Sequence, residues 1–190
     1  MPWRTGDVLL FAAAAPSWCS GWWVLDAAIA LVTRSPFTHV GLVLVDPPFA
    51  RERGAFLWES GYEPTPDAED GARRFGVRLT PLADVDLARA TVRRCVRTID
   101  ADALAAIHAD VYAKPYDARP LDWALAAVRA DPAPQRTDRF WCSAFVVYVL
   151  ARLGWVDAQT DWSVARPADL SASATWLRWT GVRYGPDARV

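Results

Sequence analysis

Cysteine is scarce in this chain, with three residues in 190, at positions 19, 95 and 142. An odd number without paired spacing excludes a disulfide framework, and the lack of any Cys-x-x-Cys pair excludes the common structural zinc sites. A reducing compartment is therefore expected. Histidine is scarcer still, at His39 and His108 alone. An excess of one charge sign is also missing. There are 21 basic and 22 acidic residues, a net charge of −1 and no block of like charges. That excludes a surface built to track phosphates, and no nucleic-acid partner is expected. A clean long apolar run is absent too. Val8 to Val32 is mostly apolar, but Asp7 precedes it, Pro16 interrupts it and Asp26 sits within it. The piece from Val8 to Ala15 is short for a signal core, so neither a signal peptide nor a transmembrane helix is expected. With no internal repeat and no linker, residues 1–190 read as one domain, long enough to bury a proper core.

What is abundant is tryptophan, at 11 residues, in an otherwise ordinary balance of 53% hydrophobic and 23% charged. Some of these indoles belong in the core. Others are free to line an apolar groove or a partner surface.

Gly6-Asp7 followed by Val8-Leu9-Leu10-Phe11 reads as a turn feeding a buried strand. A loop is expected from Pro16 to Gly21, then a helix carrying Val24, Leu25, Ala28, Leu31 and Val32, broken at Ser35-Pro36. Strands are expected at His39–Val45, Ala55–Glu59, Phe75–Leu79 and Ala90–Val96. The third alternates in the manner of a half-buried strand, and Arg93 and Arg94 are expected at the edge of the fourth. Asp100 is a good N-cap for a helix bearing Leu104, Ile107 and Val111. A short helix is expected over Leu121–Val128. From Cys142 the apolar residues fall at Phe145, Val146, Val149, Leu150 and Leu153, at helical spacing, with Gly154 as the stop. Strands first and helices later predict an α+β fold, one antiparallel sheet packed against helices.

A cysteine opening a buried helix has a chemical use, because the unpaired N–H groups and the positive end of the helix dipole favour thiolate. It is equally the place for a small core residue. A thiolate nucleophile needs a base, and the base needs an orienting group. His108 lies on a helix beside apolar residues and reads as structural. His39 opens a strand, where a polar side chain is exposed yet firmly held. If His39–Val45 and Ala55–Glu59 pair as a hairpin with Val45 facing Arg53, His39 lies opposite Glu59, with Cβ atoms ~4.5–5.5 Å apart. A slip of two residues opens this to a diagonal of ~7–8 Å, and a slip of one puts the pair on opposite faces. Cys142, His39 and Glu59 are therefore the candidate triad, with the Cys142 backbone N–H as one oxyanion donor. Cys19, also ahead of an apolar helix, is the rival nucleophile. Cys95, inside a strand, reads as structural.

The ordered set Gly6-Asp7-Val8-Leu9, Ser35-Pro36-Phe37-Thr38-His39-Val40-Gly41-Leu42, Trp58-Glu59, Leu79-Thr80-Pro81-Leu82, Lys114-Pro115-Tyr116-Asp117 and Cys142-Ser143 resembles the permuted papain-like hydrolases. These are the YiiX/YaeF-like amidase group of the NlpC-like superfamily, which also has poxvirus members. The resemblance runs from Gly6 to about Asp169. It implies a circularly permuted papain-like fold, an antiparallel sheet or barrel against which the nucleophile helix packs. It also implies cysteine amidase or peptidase activity through Cys142, His39 and Glu59, without metal or organic cofactor, in a cytoplasmic or virion-associated protein. Phe37 departs from the tyrosine expected two residues before the histidine. Pro167-Ala168-Asp169-Leu170 looks like a late family feature without an assigned role. In an unpermuted chain the nucleophile helix precedes the Gly-Asp strand, which favours Cys142 over Cys19.

The expected substrate is a peptide, an N-acyl amino acid or a lipid acyl group, bound with the help of Trp141, Tyr116 and Phe37. Trp22, Trp23 and Trp58, with Trp141, tilt it towards an apolar portion and leave contact with a membrane surface open. The alternative is a lipid- or protein-binding module on the same fold, without turnover. Oligomeric state is left open.

Overall fold

The computed structural model describes residues 2–12, 35–62, 64–118 and 135–190. The loop and helix expected over residues 16–32, with Cys19, Trp22 and Trp23, and the helix expected over Leu121–Val128 lie outside the described residues.

The described elements are strands β1 (Val8–Ala12), β2 (Phe37–Val45), β3 (Ala55–Tyr62), β4 (Phe75–Pro81), β5 (Ala90–Cys95) and β6 (Tyr184–Arg189), with helices α1 (Ala101–Val111) and α2 (Cys142–Arg152). The strands form one antiparallel sheet in the order β4-β3-β2-β1-β5-β6. The fold is thus α+β, with an open sheet among the described residues. No helix among them is long and apolar enough to cross a membrane.

Alternation along the strands divides the core. Val8, Leu10, Val40, Leu42, Leu44, Phe56 and Trp58 join the cluster that contains α2. Leu9, Val43, Leu57 and Val92 join a second, smaller cluster. Residues Cys142 to Leu150 of α2 are buried on every side of the helix. Each fully buried Val, Leu or Phe there contributes about 1.5–3 kcal/mol, so α2 is anchored by packing. Its C-terminal stop is Gly154, with φ at 68°. Helix α1 starts where expected, the Asp100 side chain accepting from Ala103 N at 2.9 Å.

The Gly-Asp turn before β1 has a structural role. Asp7 is fully buried, and its carboxylate accepts from Cys95 N at 2.8 Å, Arg4 N at 3.1 Å and Arg94 Nη1 at 2.7 Å. Gly6, at φ 98°, turns the chain into that position.

Three expectations are corrected. First, the C-terminal part, which reads from its residues as Trp-rich loop and short helix, ends in β6, and β6 belongs to the sheet. Tyr184-Gly185-Pro186 carries little strand signal, yet an outermost strand tolerates proline. Second, β5 is consequently internal, between β1 and β6. Arg93 is buried rather than at an edge, donating from Nη1 to Leu170 O at 2.7 Å and Ser171 O at 3.1 Å and lying over the rings of Trp179 and Tyr184. Third, β4 is buried on both faces, because Arg78 and Thr80 turn inward as fully as Val77 and Leu79.

Candidate active site

The β2–β3 hairpin sets the first distance. Val45 pairs with Ala55 and Leu42 with Trp58, two residues away from the register with Val45 facing Arg53. The cause lies in the turn. Asp46 N donates to Gly54 O at 2.8 Å, and Gly54 N donates to the Asp46 side chain at 2.8 Å. This closure holds Arg53 in the loop and starts the ladder at Ala55. A slip of two keeps the face. Continuing the register puts Gly61 opposite His39, with Glu59 on the diagonal. Because Gly61 has no side chain, the imidazole leans over it: a Cβ there would stand 3.1 Å from His39 Cε1 and 3.3 Å from Glu59 Oε2. His39 Nε2 thereby reaches Glu59 Oε2 at 2.6 Å.

Glu59 is 1% exposed, so its charge needs partners. One oxygen takes the imidazole. The other, Oε1, accepts from Thr80 Oγ1 at 2.7 Å on β4. Thr80 Oγ1 in turn accepts from Arg78 Nε at 3.1 Å. Glu59 and Arg78 face each other across β3 and β4.

Cys142 reaches the imidazole from α2. By alternation His39 shares a face with Val43, whereas α2 packs on the face of Val40, Leu42 and Leu44. The two meet at the N-terminal end of β2. There the ladder with β1 slips: Phe11 pairs with His39 and Ala12 with Phe37, leaving Thr38 as an extra residue. Such a bulge re-aims neighbouring side chains. The Cys142 sulfur lies 4.0 Å from the Thr38 carbonyl oxygen. Phe11 lies against the ring, with centroids 5.7 Å apart and the planes tilted by 43°.

Charge follows this geometry. Burial opposes protonation of His39, but hydrogen bonding and charge interaction with Cys142, and then with Glu59, overcome it and hold the imidazole pKa well above its usual 6.5. The ring still keeps 28% of its side-chain surface open. With Nε2 committed to Glu59, Nδ1 is the nitrogen that can take the thiol proton.

Three braces fix the start of α2. Ser60, next to Glu59 but pointing to the opposite face, donates to Phe140 O at 2.7 Å. The Lys114-Pro115-Tyr116-Asp117 motif straps the edge of β4 to the same segment: Val77 N donates to Lys114 O at 2.8 Å and Phe140 N to Pro115 O at 3.1 Å. On the far side Ala165 O accepts from both neighbours of Cys142, from Ser143 Oγ at 2.8 Å and Trp141 Nε1 at 3.2 Å. Asp169 shapes that turn by accepting from Arg166 N at 2.8 Å. Trp141 is the N-cap residue and makes no side-chain capping bond. The first N–H groups of α2 are therefore not spent on a cap.

His39, Glu59 and Cys142 thus come together. The other three expected residues have separate places. Trp141 is buried and its indole N–H is committed to Ala165 O. Tyr116 is half-buried, stacked on Phe75 with centroids 4.3 Å apart. Phe37 opens β2 and packs against the larger core. Sequence reasoning missed Gly61, Thr80, Arg78 and Ala165, whose parts emerge only from register and tertiary contact. Cys95 is buried in a free state, its Sγ 3.1 Å from Arg97 O. Among the described residues no group of three or more His, Cys, Asp or Glu is placed to hold a metal ion. No protein-family model matches the chain, and no curated protein matches it either.

Proposed function

We propose that this chain is a cysteine hydrolase of amidase or peptidase type, with a circularly permuted papain-like fold, cleaving an amide or related acyl bond through Cys142, His39 and Glu59. One observation carries the reading: the imidazole held at 2.6 Å by a buried carboxylate also interacts with a thiol in the first turn of a helix. The nucleophile helix follows five strands of the sheet rather than preceding them, as a permuted chain requires.

In the first half-reaction His39 Nδ1 takes the Cys142 proton and the sulfur attacks the substrate carbonyl carbon. Negative charge gathers on the carbonyl oxygen, where the Cys142 backbone N–H is an available donor. The imidazolium then protonates the leaving amine, alcohol or thiol as the carbonyl–heteroatom bond breaks, and a thioester to Cys142 remains. In the second half His39 takes a proton from water, the hydroxide adds to the thioester, and the acid leaves with return of the proton to sulfur. Glu59 stays ionised, holding the tautomer and stabilising the charged ring. Peptides, N-acyl amino acids and lipid acyl esters or thioesters all fit this chemistry.

The test is turnover of a panel of acyl amides, peptides and acyl thioesters, with mass spectrometry of the quenched enzyme. Hydrolysis with a thioester adduct on Cys142, abolished in a folded Cys142→Ala variant, is expected. Turnover that survives the variant, or binding of the same compounds without turnover by the native chain, would overturn the reading, the latter in favour of a binding module.

A further inference from the structure

Arg78 and Thr80 stand in β4 as the polar positions of an alternating strand, which usually face water. Here Arg78 is 2% exposed and Thr80 fully buried. A buried guanidinium is costly, so its partners carry information. Its Nη2 donates to Thr65 O at 2.7 Å, which anchors the head group, and its Nε donates to Thr80 Oγ1 at 3.1 Å.

We propose that Arg78 and Thr80 are positioning residues that set the direction of the hydrogen-bond chain ending at His39, beside Cys142, a role that rests on the hydrolase reading above. A threonine hydroxyl can donate or accept, and by itself imposes no direction. Arg78 removes that freedom, because arginine is always protonated and only donates. Thr80 must accept from it, and its own proton is left to point at Glu59 Oε1, 2.7 Å away. Glu59 is then an acceptor on both oxygens. The imidazole must present Nε2–H to Oε2, and Nδ1 becomes the acceptor for the thiol proton. The polarity of the chain from Arg78 through Thr80 and Glu59 to His39 is thus fixed at its outer end by Arg78, which only donates, and kept by the Glu59 carboxylate, which only accepts. Without Arg78 the hydroxyl can rotate away from the carboxylate. Without the hydroxyl, Oε1 is buried unpaired and Glu59 loses one of the two contacts that hold its plane.

The other groups around the ring do not compete. Among the described residues the charged or titratable groups that act most on the ring are Cys142 from α2 and Glu59 from β3, with Arg78 of β4 acting through Thr80, and Phe11 of β1 lies against it.

The experiment pairs Thr80→Val, which keeps the shape and deletes the hydroxyl, with Thr80→Ser, which restores it. The first readouts need no substrate: the pH dependence of Cys142 alkylation by iodoacetamide, and imidazole titration by NMR. The chain has two histidines, so His108 is an internal control. In Thr80→Val the His39 titration and the alkaline limb of alkylation should move to lower pH, with His108 unmoved. Acyl-substrate kcat should fall about tenfold with KM nearly unchanged, the size seen when an outer partner of a functional histidine is removed. Thr80→Ser should restore both. Unchanged titration and kcat in a folded Thr80→Val would overturn the proposal, as would a Thr80→Ser variant equally impaired, since packing would then be the cause. If Thr80→Val does not fold, Arg78→Lys serves in its place, and a native-like His39 titration in that variant overturns the proposal. A native chain that hydrolyses nothing would sink the hydrolase reading, while the His39 titration still decides the direction of the chain.

Discussion

Among the described residues two histidine–glutamate contacts are of nearly equal length, His39–Glu59 at 2.6 Å and His108–Glu69 at 2.7 Å. By distance alone they are equivalent. Their surroundings separate them. Glu59 keeps 2% of its side-chain surface and has Thr80 behind it, whereas Glu69 keeps 19%. His39 also interacts with the Cys142 thiol. His108 has Phe49, stacked on it with centroids 3.7 Å apart, and Trp58 beyond. The second pair, with Tyr112 Oη donating to Asp70 at 2.6 Å, ties α1 to the 64–74 loop. A histidine–carboxylate contact is therefore no site by itself. What distinguishes a site is a reactive third group and a buried partner that fixes the carboxylate from behind.

The widest separation should come from the histidines. His39→Asn removes the proposed base beside Cys142, and kcat/KM should fall by about 10³-fold, within the usual contribution of a positioned general base. His108→Asn should leave turnover within about twofold and cost roughly 1 kcal/mol of stability through the lost stack. Comparable losses in both variants would collapse the distinction. Next come the carboxylates. Glu59→Gln keeps the shape but presents an amide to the ring and to Thr80, and turnover should drop about 10²-fold, with the wrong tautomer favoured. Glu69→Gln should alter only melting.

Gly61 tests the diagonal that brings His39 to Glu59. A branched side chain there needs the volume that the imidazole occupies. Gly61→Val should therefore lower turnover on the order of tenfold to a hundredfold, as displacement of reacting groups by an ångström does. A native rate in this variant would mean that the ring does not work from its position over Gly61.

Much of this arrangement was open to reading from residues, and the rest was hidden for definite reasons. The α2 segment announced itself because its apolar spacing is helical and Gly154 stops it. His39 and Glu59 were legible as one face of a hairpin, since a slip of two residues preserves the face. The register itself was not legible, because it depends on Asp46 closing the loop onto Gly54, a side-chain bond that leaves no mark on periodicity. Arg78 and Thr80 imitate the solvent side of a half-buried strand. Only the cross-strand partner, itself a buried acid, turns them into core residues. Strand β6 was hidden by Gly185 and Pro186, which only an outer position accommodates.

Glu69 and His39 should also titrate in different windows. Burial raises the Glu69 pKa from its usual 4.5, with His108 opposing, so ionisation of Glu69 works against the fold. The stability present below pH 4.5 is lost as pH rises through the raised value. For His39 the folded pKa is also raised, so the contribution is complete below its usual 6.5 and is lost on the alkaline side as pH passes the folded value. Melting temperature against pH should carry both slopes. Glu69→Gln should remove the Glu69 share of the acid-side slope and leave the alkaline one, and His39→Asn the His39 share of the alkaline slope and leave the acid-side one. Exchange of the two effects would reverse the assignment.

The smallest effect should fall on the brace that sets the thiol rather than the ring. Ala165 O receives both Ser143 Oγ and Trp141 Nε1, so the residues on either side of Cys142 hang from one carbonyl. Ser143→Ala deletes one of these two bonds and leaves the indole. A neutral hydrogen bond is worth about 1 kcal/mol net, which bounds the loss at about fivefold if all of it is expressed in the position of the sulfur. The variant should lower kcat and slow iodoacetamide labelling of Cys142 by the same factor, while the His39 titration stays where it was, because nothing on the Glu59 side has moved. His108, with no share in this brace, should be indifferent to it. A shift of the His39 titration in Ser143→Ala would mean that the brace acts through the imidazole. The start of α2 and the histidine–glutamate pair would then be one mechanical unit rather than two that meet at the sulfur.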